Sequence, residues 1–203
     1  MKKISYLFFL FLFAVASISA TPYEIDLSGG TGGGYGESAY YAPNGTVVTA
    51  SIGAYAYSNW YQLRNMFDNS FGNYGDGYWL PNTSSTTTLL INLDKLYYLS
   101  QIRVFVSTVY SHHVTQYKME VSADGVNYTN ITGGYLYAGT YNDTYWNINS
   151  MVDYVRFTVQ TTSSWMCINE IELFSVVPEP ASIAYLCIAG LLFFLKSGKK
   201  KIA

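Results

Sequence analysis

The residues best suited to chemistry in this chain are aromatic. Its 203 residues include 21 tyrosines and 4 tryptophans. Several stand where the strand-like pattern breaks: Tyr55, Tyr57, Trp60, Tyr78, Tyr110 and Trp165. Sugar rings present apolar C–H faces, which aromatic side chains cover while polar neighbours hold the hydroxyls. His112 and His113 add polar groups in a connection between two apolar runs. The expected ligand face is therefore Tyr55, Tyr57, Trp60, Tyr78, His112, His113 and Trp165. Arg156 alternates away from the core, where it either contacts a ligand or pairs with an acid.

Catalytic constellations are weak by comparison. Glycoside hydrolysis needs two facing carboxylates, and the acids here sit in no recognisable catalytic motif. There is no Gly-x-Ser-x-Gly elbow, and two adjacent histidines without a nucleophile motif make a poor triad. The glycine-rich run from Ser28 to Gly36 lacks the Gly-Lys ending of a phosphate loop. Cys167 and Cys187 form no framework of disulfides or zinc spacing, and Cys167 reads as a small apolar core residue. The chain is read as a binding protein and not as an enzyme. Between Thr21 and Val177, five basic residues against twelve acidic ones leave a charge of −7. A nucleic-acid partner is excluded on that ground, since phosphate binding needs a basic face.

The elements that must carry these residues are strands. Leu89, Ile91 and Leu93 share one face. So do Ile102, Val104 and Val106, then Tyr117, Met119 and Val121, then Val155, Phe157 and Val159, then Ile171 and Leu173. Period two with one apolar face marks half-buried antiparallel strands. Asn73 to Gly77, Ala123-Asp124-Gly125 and Thr132-Gly133-Gly134 supply the turns. Several short strands with such turns predict a sandwich or barrel. Residues 21–43, rich in Gly, Tyr and Ser, are expected to be a flexible leader.

Within residues 44–176 the order of motifs resembles the discoidin, or coagulation factor 5/8 type C, domain. The most specific pieces are Tyr117 to Tyr128, with Ser122, Asp124 and Gly125 between them, and the closing Glu170-Ile171-Glu172-Leu173. The resemblance implies an all-β, eight-stranded antiparallel jelly-roll sandwich of the galactose-binding-like type, with Trp79 as a core tryptophan after the first loop. It also implies a structural calcium at Asp68 and Glu170, with Ser70, Asn73 and Asn169 as further ligands; otherwise Asp68 caps a turn and Glu170 is a surface charge. Calcium takes six to eight hard oxygen ligands, which suits such a set. The cysteine pair that often closes this family is missing. The family's Asp-Gly is Asp68-Asn69 here, and asparagine tolerates the same left-handed backbone.

The two ends read as addresses. Residues 1–20 have a basic start, an apolar centre and a small-residue exit, which predicts a secretory signal peptide cut by signal peptidase after Ala16 or Ala20. Residues 177–203 carry Pro178-Glu179-Pro180, an apolar helix over about 181–195 and lysines through 201. At about 1.5 Å per residue that helix is short for a hydrocarbon core of about 30 Å. This arrangement resembles the PEP-CTERM sorting signal of Gram-negative bacteria. It implies processing by an exosortase, brief anchoring in the inner membrane, and delivery to the outer surface or extracellular matrix. The expected role is binding of carbohydrate or exopolysaccharide. The other reading is a structural biofilm protein without a specific glycan pocket.

Overall fold

The alternating runs become antiparallel strands in a computed structural model, which describes residues 22–54, 56, 61–70, 77, 79, 86–107, 116–137, 141–160 and 168–176. The segments are β1 (Pro22–Glu24), β2 (Thr31–Gly32), β3 (Ala39–Tyr41), β4 (Val47–Ala50), β5 (Thr87–Ser107), β6 (Gln116–Ser122), β7 (Thr129–Asn130), β8 (Leu136–Tyr137), β9 (Tyr141–Gln160) and β10 (Glu170–Val176). A 3-10 turn at Leu63–Phe67 joins them. Contacts divide the chain into two units, residues 24–175 and a unit formed by 1–23 with 176–203. In the second unit only Pro22, Tyr23 and Val176 are described. The signal-peptide and sorting-tail expectations, including Pro178, Glu179 and Pro180, fall outside the described residues. Among the described residues no helix is long and apolar enough to cross a membrane.

β5 and β9 organise the larger unit. They run for 21 and 20 residues, and each passes through both parts, a larger and a smaller sheet, of one continuous hydrogen-bonded array. In the larger sheet the first half of β5 pairs with the second half of β9, through Leu89↔Phe157 and Ile91↔Val155. β4, β3 and β2 extend this sheet on one side and β6 on the other. In the smaller sheet the second half of β5 pairs with the first half of β9, through Ile102↔Trp146, and with β10, through Ile171↔Val104. Beside β10 the Ile25 N–H donates to the Leu173 carbonyl at 2.8 Å.

The bend between sheets has a local cause. Register shifts fall between Asn92 and Tyr97 and between Leu99 and Gln101. Leu89, Ile91, Leu93, Tyr97 and Leu99 face the core before the second shift; Ile102, Val104 and Val106 face it afterwards. Against β10 one additional residue, Ser100, reverses the parity of the inward face as a bulge does, while β9 sets two residues, Ile148 and Asn149, against it. The Ser100 hydroxyl donates to the Phe174 carbonyl at 3.1 Å. Two runs that read as separate strands in the sequence are thus one bent strand. The described residues hold ten strand segments, more than the eight expected, because short pairings such as β2, β7 and β8 add to the main ones.

The core lies between the inner faces. Val48, Ile91, Val155 and Val121 form one registered row, and Ile102, Val104, Ile171 and Leu173 come from the other sheet; none is more than 4 % exposed. Each such side chain contributes about 1.5–3 kcal/mol on burial. Trp79 is fully buried and pairs with Ile168, as its packing role requires.

The leader expectation is corrected. Residues 22–43 hold β1, β2 and β3, and they bury Ile25, Leu27 and Tyr40. Their low complexity concealed a packing role for glycine. A Cβ on Gly30 would lie 2.3 Å from the Tyr41 carbonyl oxygen and 2.6 Å from the Tyr40 hydroxyl. Only glycine lets Tyr40 settle there.

Candidate functional site

The 3-10 turn buries Leu63, Met66 and Phe67 and delivers Asp68 at its end. Asn69 then takes φ 59°, the left-handed conformation its side chain tolerates. This reverses the chain, so the Ser70 N–H points at two acids at once. It donates to Asp68 Oδ1 at 3.0 Å and to Glu170 Oε2 at 3.2 Å. Glu170 opens β10 opposite Phe105 and is 1 % exposed. The preceding Asn169 is also buried, and its N–H donates to the Phe105 carbonyl at 3.1 Å.

The electrostatics of this corner are lopsided. The Glu170 carboxyl is pushed up to about 10, mainly by burial. The Asp68 charge contributes to that rise, while the Ser70 N–H opposes it. Among the described residues no lysine or arginine forms an ion pair with Glu170. Two residues along β10, Glu172 is answered by Arg103 at 3.0 Å. Arg103 also grips Asp143 with two bonds, at 2.7 and 2.8 Å, and lies over the Tyr145 ring. Those bonds to Asp143 raise the Arg103 pKa, with Glu172 adding to the effect and burial opposing it.

Asp68, Ser70 and Glu170 are therefore brought together, with Asn169 adjacent in the chain. Two carboxylates sharing one N–H, one of them buried, fit a hard cation with oxygen ligands. Among the described residues no group of three His, Cys, Asp or Glu clusters, so any further ligands from those residues are carbonyl, hydroxyl or amide oxygens. Asn73 falls outside the described residues, as do Tyr55, Tyr57, Trp60, Tyr78, Tyr110, His112, His113, Trp165 and Cys167.

The alternative left open for Arg156 resolves toward pairing. Its Nε donates to Glu120 at 2.9 Å, and Lys118 reaches the other oxygen of the same carboxylate at 3.1 Å. Burial alone would raise Glu120, but the two cations outweigh it and hold the carboxyl below its usual range. The Arg156 guanidinium also lies under the Tyr128 ring, 3.7 Å from its centroid. Next to this pair, Asp124 closes its turn by accepting from the N–H groups of Asn127 and Val126 at 2.8 and 2.9 Å. Those bonds hold its carboxyl well below the usual carboxylate range. Sequence spacing placed Arg103, Glu120, Arg156 and Glu172 on outward faces but carried no signal for their partners.

Comparison with known proteins settles the class. Residues 47–173 match the F5/8 type C domain. The chain belongs to that family. Its fold is similar to the CpGH89CBM32-5 module from Clostridium perfringens, solved in complex with GalNAc-β-1,3-galactose. The identity is 14 %, the TM-score 0.52, and the match covers 64 % of this chain and 95 % of the module. It is also similar to the allantoicase of Saccharomyces cerevisiae, with 15 % identity, TM-score 0.52, and 75 % of this chain on 43 % of that one. A Ruminococcus gnavus GH29 fucosidase in complex with fucose matches at 16 % identity and TM-score 0.52, with 66 % of this chain on 26 % of the enzyme. The chain thus spans less than half the length of these two enzymes. No curated protein sequence matches it significantly.

Proposed function

We propose that this protein is an exported, non-catalytic carbohydrate-binding module of a Gram-negative cell surface or extracellular matrix. Membership of the F5/8 type C family over residues 47–173 carries the reading. Support comes from the similar fold of a module solved with GalNAc-β-1,3-galactose, and from the tyrosine-rich composition. The ligand face takes in Tyr55, Tyr57, Trp60, Tyr78, His112, His113 and Trp165. Signal peptidase cuts the leader after Ala16 or Ala20, and an exosortase processes the tail at Pro178-Glu179-Pro180 while its helix holds the membrane.

A calcium ion belongs to this reading. Asp68 and Glu170 would hold it, with Ser70, Asn73 and Asn169 completing the oxygen set. Bound there, it would neutralise the two carboxylates. The buried Glu170 and the Asp68–Ser70 turn support this assignment.

The test is a glycan array probed with the full chain and with Trp60→Ala and His113→Ala. Selective binding to one glycan class is expected, weakened several-fold in either variant, as loss of one stacking or polar contact predicts. A blank array removes the carbohydrate reading. Selective binding unchanged in both variants removes this face.

A further inference from the structure

The outer face of the larger sheet carries a row of side chains in continuous register. Ser122, Tyr154, Asn92, Val47, Tyr41 and Thr31 follow one another across β6, β9, β5, β4, β3 and β2. Tyr41 is 53 % exposed, and Tyr154 is partly exposed. Tyr154 is braced from one side, since its ring would sit 3.1 Å from a Cβ on Gly125. Beyond it, Tyr128 lies over Arg156. Strands repeat at about 4.8 Å, so Tyr154 and Tyr41, three strands apart, stand roughly 14 Å from each other.

We infer that this face binds a linear, uncharged polysaccharide laid across the strands. The inference rests on the carbohydrate-binding reading above and gives that activity a second set of residues, drawn from strands. A pleated sheet has no walls to enclose one sugar, so a monosaccharide would bury little surface on it. A chain that meets Tyr154 and Tyr41 together adds contacts without a second loss of translational freedom. Tyrosine rings cover sugar C–H faces, and Asn92 and Thr31 between and beside them offer hydroxyl partners. Charge selects the class. No acidic or basic side chain stands in the row, and the nearest cations on that side, Arg156 one row away and Lys118 two rows away, are both engaged by Glu120. Around it, residues 21–177 carry five basic and twelve acidic residues, a field that repels acidic polysaccharides.

Calorimetry of the full chain with a panel of linear uncharged hexasaccharides, and with free galactose, tests this. At least one hexasaccharide is expected to bind. Tyr41→Ala and Tyr154→Ala should each weaken it several-fold, up to about tenfold, with melting temperatures unchanged. Tyr41→Phe, which keeps the ring, should retain most of the affinity. Hexasaccharide binding that survives both alanine variants overturns the sheet face; if Trp60→Ala then abolishes it, the carbohydrate reading stands without that face. Failure of every hexasaccharide also overturns the inference, and galactose binding in that case shows that the wider reading survives.

Discussion

Calcium is expected to raise the melting temperature of the metal-free protein strongly at pH 8 and weakly at pH 5. The sign follows from Glu170. Burial and the neighbouring Asp68 lift its carboxyl from 4.5 to about 10 in the folded chain. Its contribution to stability is therefore fully present below the unfolded value and is lost as pH rises toward the folded one. Without metal, the protein should be more stable at pH 5 than at pH 8. Calcium reverses the preference, because it binds the ionised carboxylate and displaces the proton. At a hundredfold excess over Kd the gain is about 2.7 kcal/mol, or roughly 5–10 °C for a domain of this size. Glu170→Gln should stabilise the metal-free chain at pH 8 and erase the response to calcium. Thermal melts in calcium and in EDTA at the two pH values decide the matter. Identical melts with and without the ion would sink the site, and a wild-type stability that rises from pH 5 to pH 8 in EDTA would sink the account of Glu170.

Tyr40→Ala is expected to cost about 3–5 kcal/mol, the range for deleting a buried aromatic side chain. Its ring stacks on Phe67 at 5.4 Å with 13° between planes. Its hydroxyl donates to the Leu27 carbonyl and accepts from the Gly30 N–H at 2.9 Å. Tyr40 is thus the rivet between residues 27–30 and the 3-10 turn that delivers Asp68. Tyr40→Phe keeps the stack but leaves the Leu27 carbonyl and Gly30 N–H without that partner, at about 1–3 kcal/mol. Denaturant unfolding measures both. A Tyr40→Ala loss below about 0.5 kcal/mol, the usual size of a surface effect, would mean that residues 22–43 are a leader after all.

The two predictions meet at one corner and differ in how visible that corner was beforehand. Asp68 and Glu170 were paired through a family resemblance, and nothing in their own spacing joined them. Ser70, which bonds to both, lies 100 residues from Glu170. Tyr40 gave no signal, because the adjacent pair Tyr40-Tyr41 between two alanines shows no period of two. Turn chemistry was more legible. Asp68-Asn69 and Asp124-Gly125 each adopt the left-handed backbone their residue types allow, at Asn69 and Gly125.

What the sequence by itself determined was local. A period of two assigns each strand an inner and an outer face, because successive side chains point to opposite sides of a strand whatever it pairs with. Leu89, Ile91, Ile102, Val104, Val155, Phe157, Ile171 and Leu173 were legible as core on that ground, and Arg103, Arg156 and Glu172 as outward. Only the tertiary structure decided which strands lie side by side. The reversal of parity at Ser100 made one bent strand of two runs. Register then set Tyr154, Asn92, Val47 and Tyr41 in one row, and Glu120 between Lys118 and Arg156. Strand pairing is long-range in the chain and free to slip by a residue until side chains on both faces are packed. The outward residues have no core to reveal their neighbours, so their partners became visible only in the folded sheet.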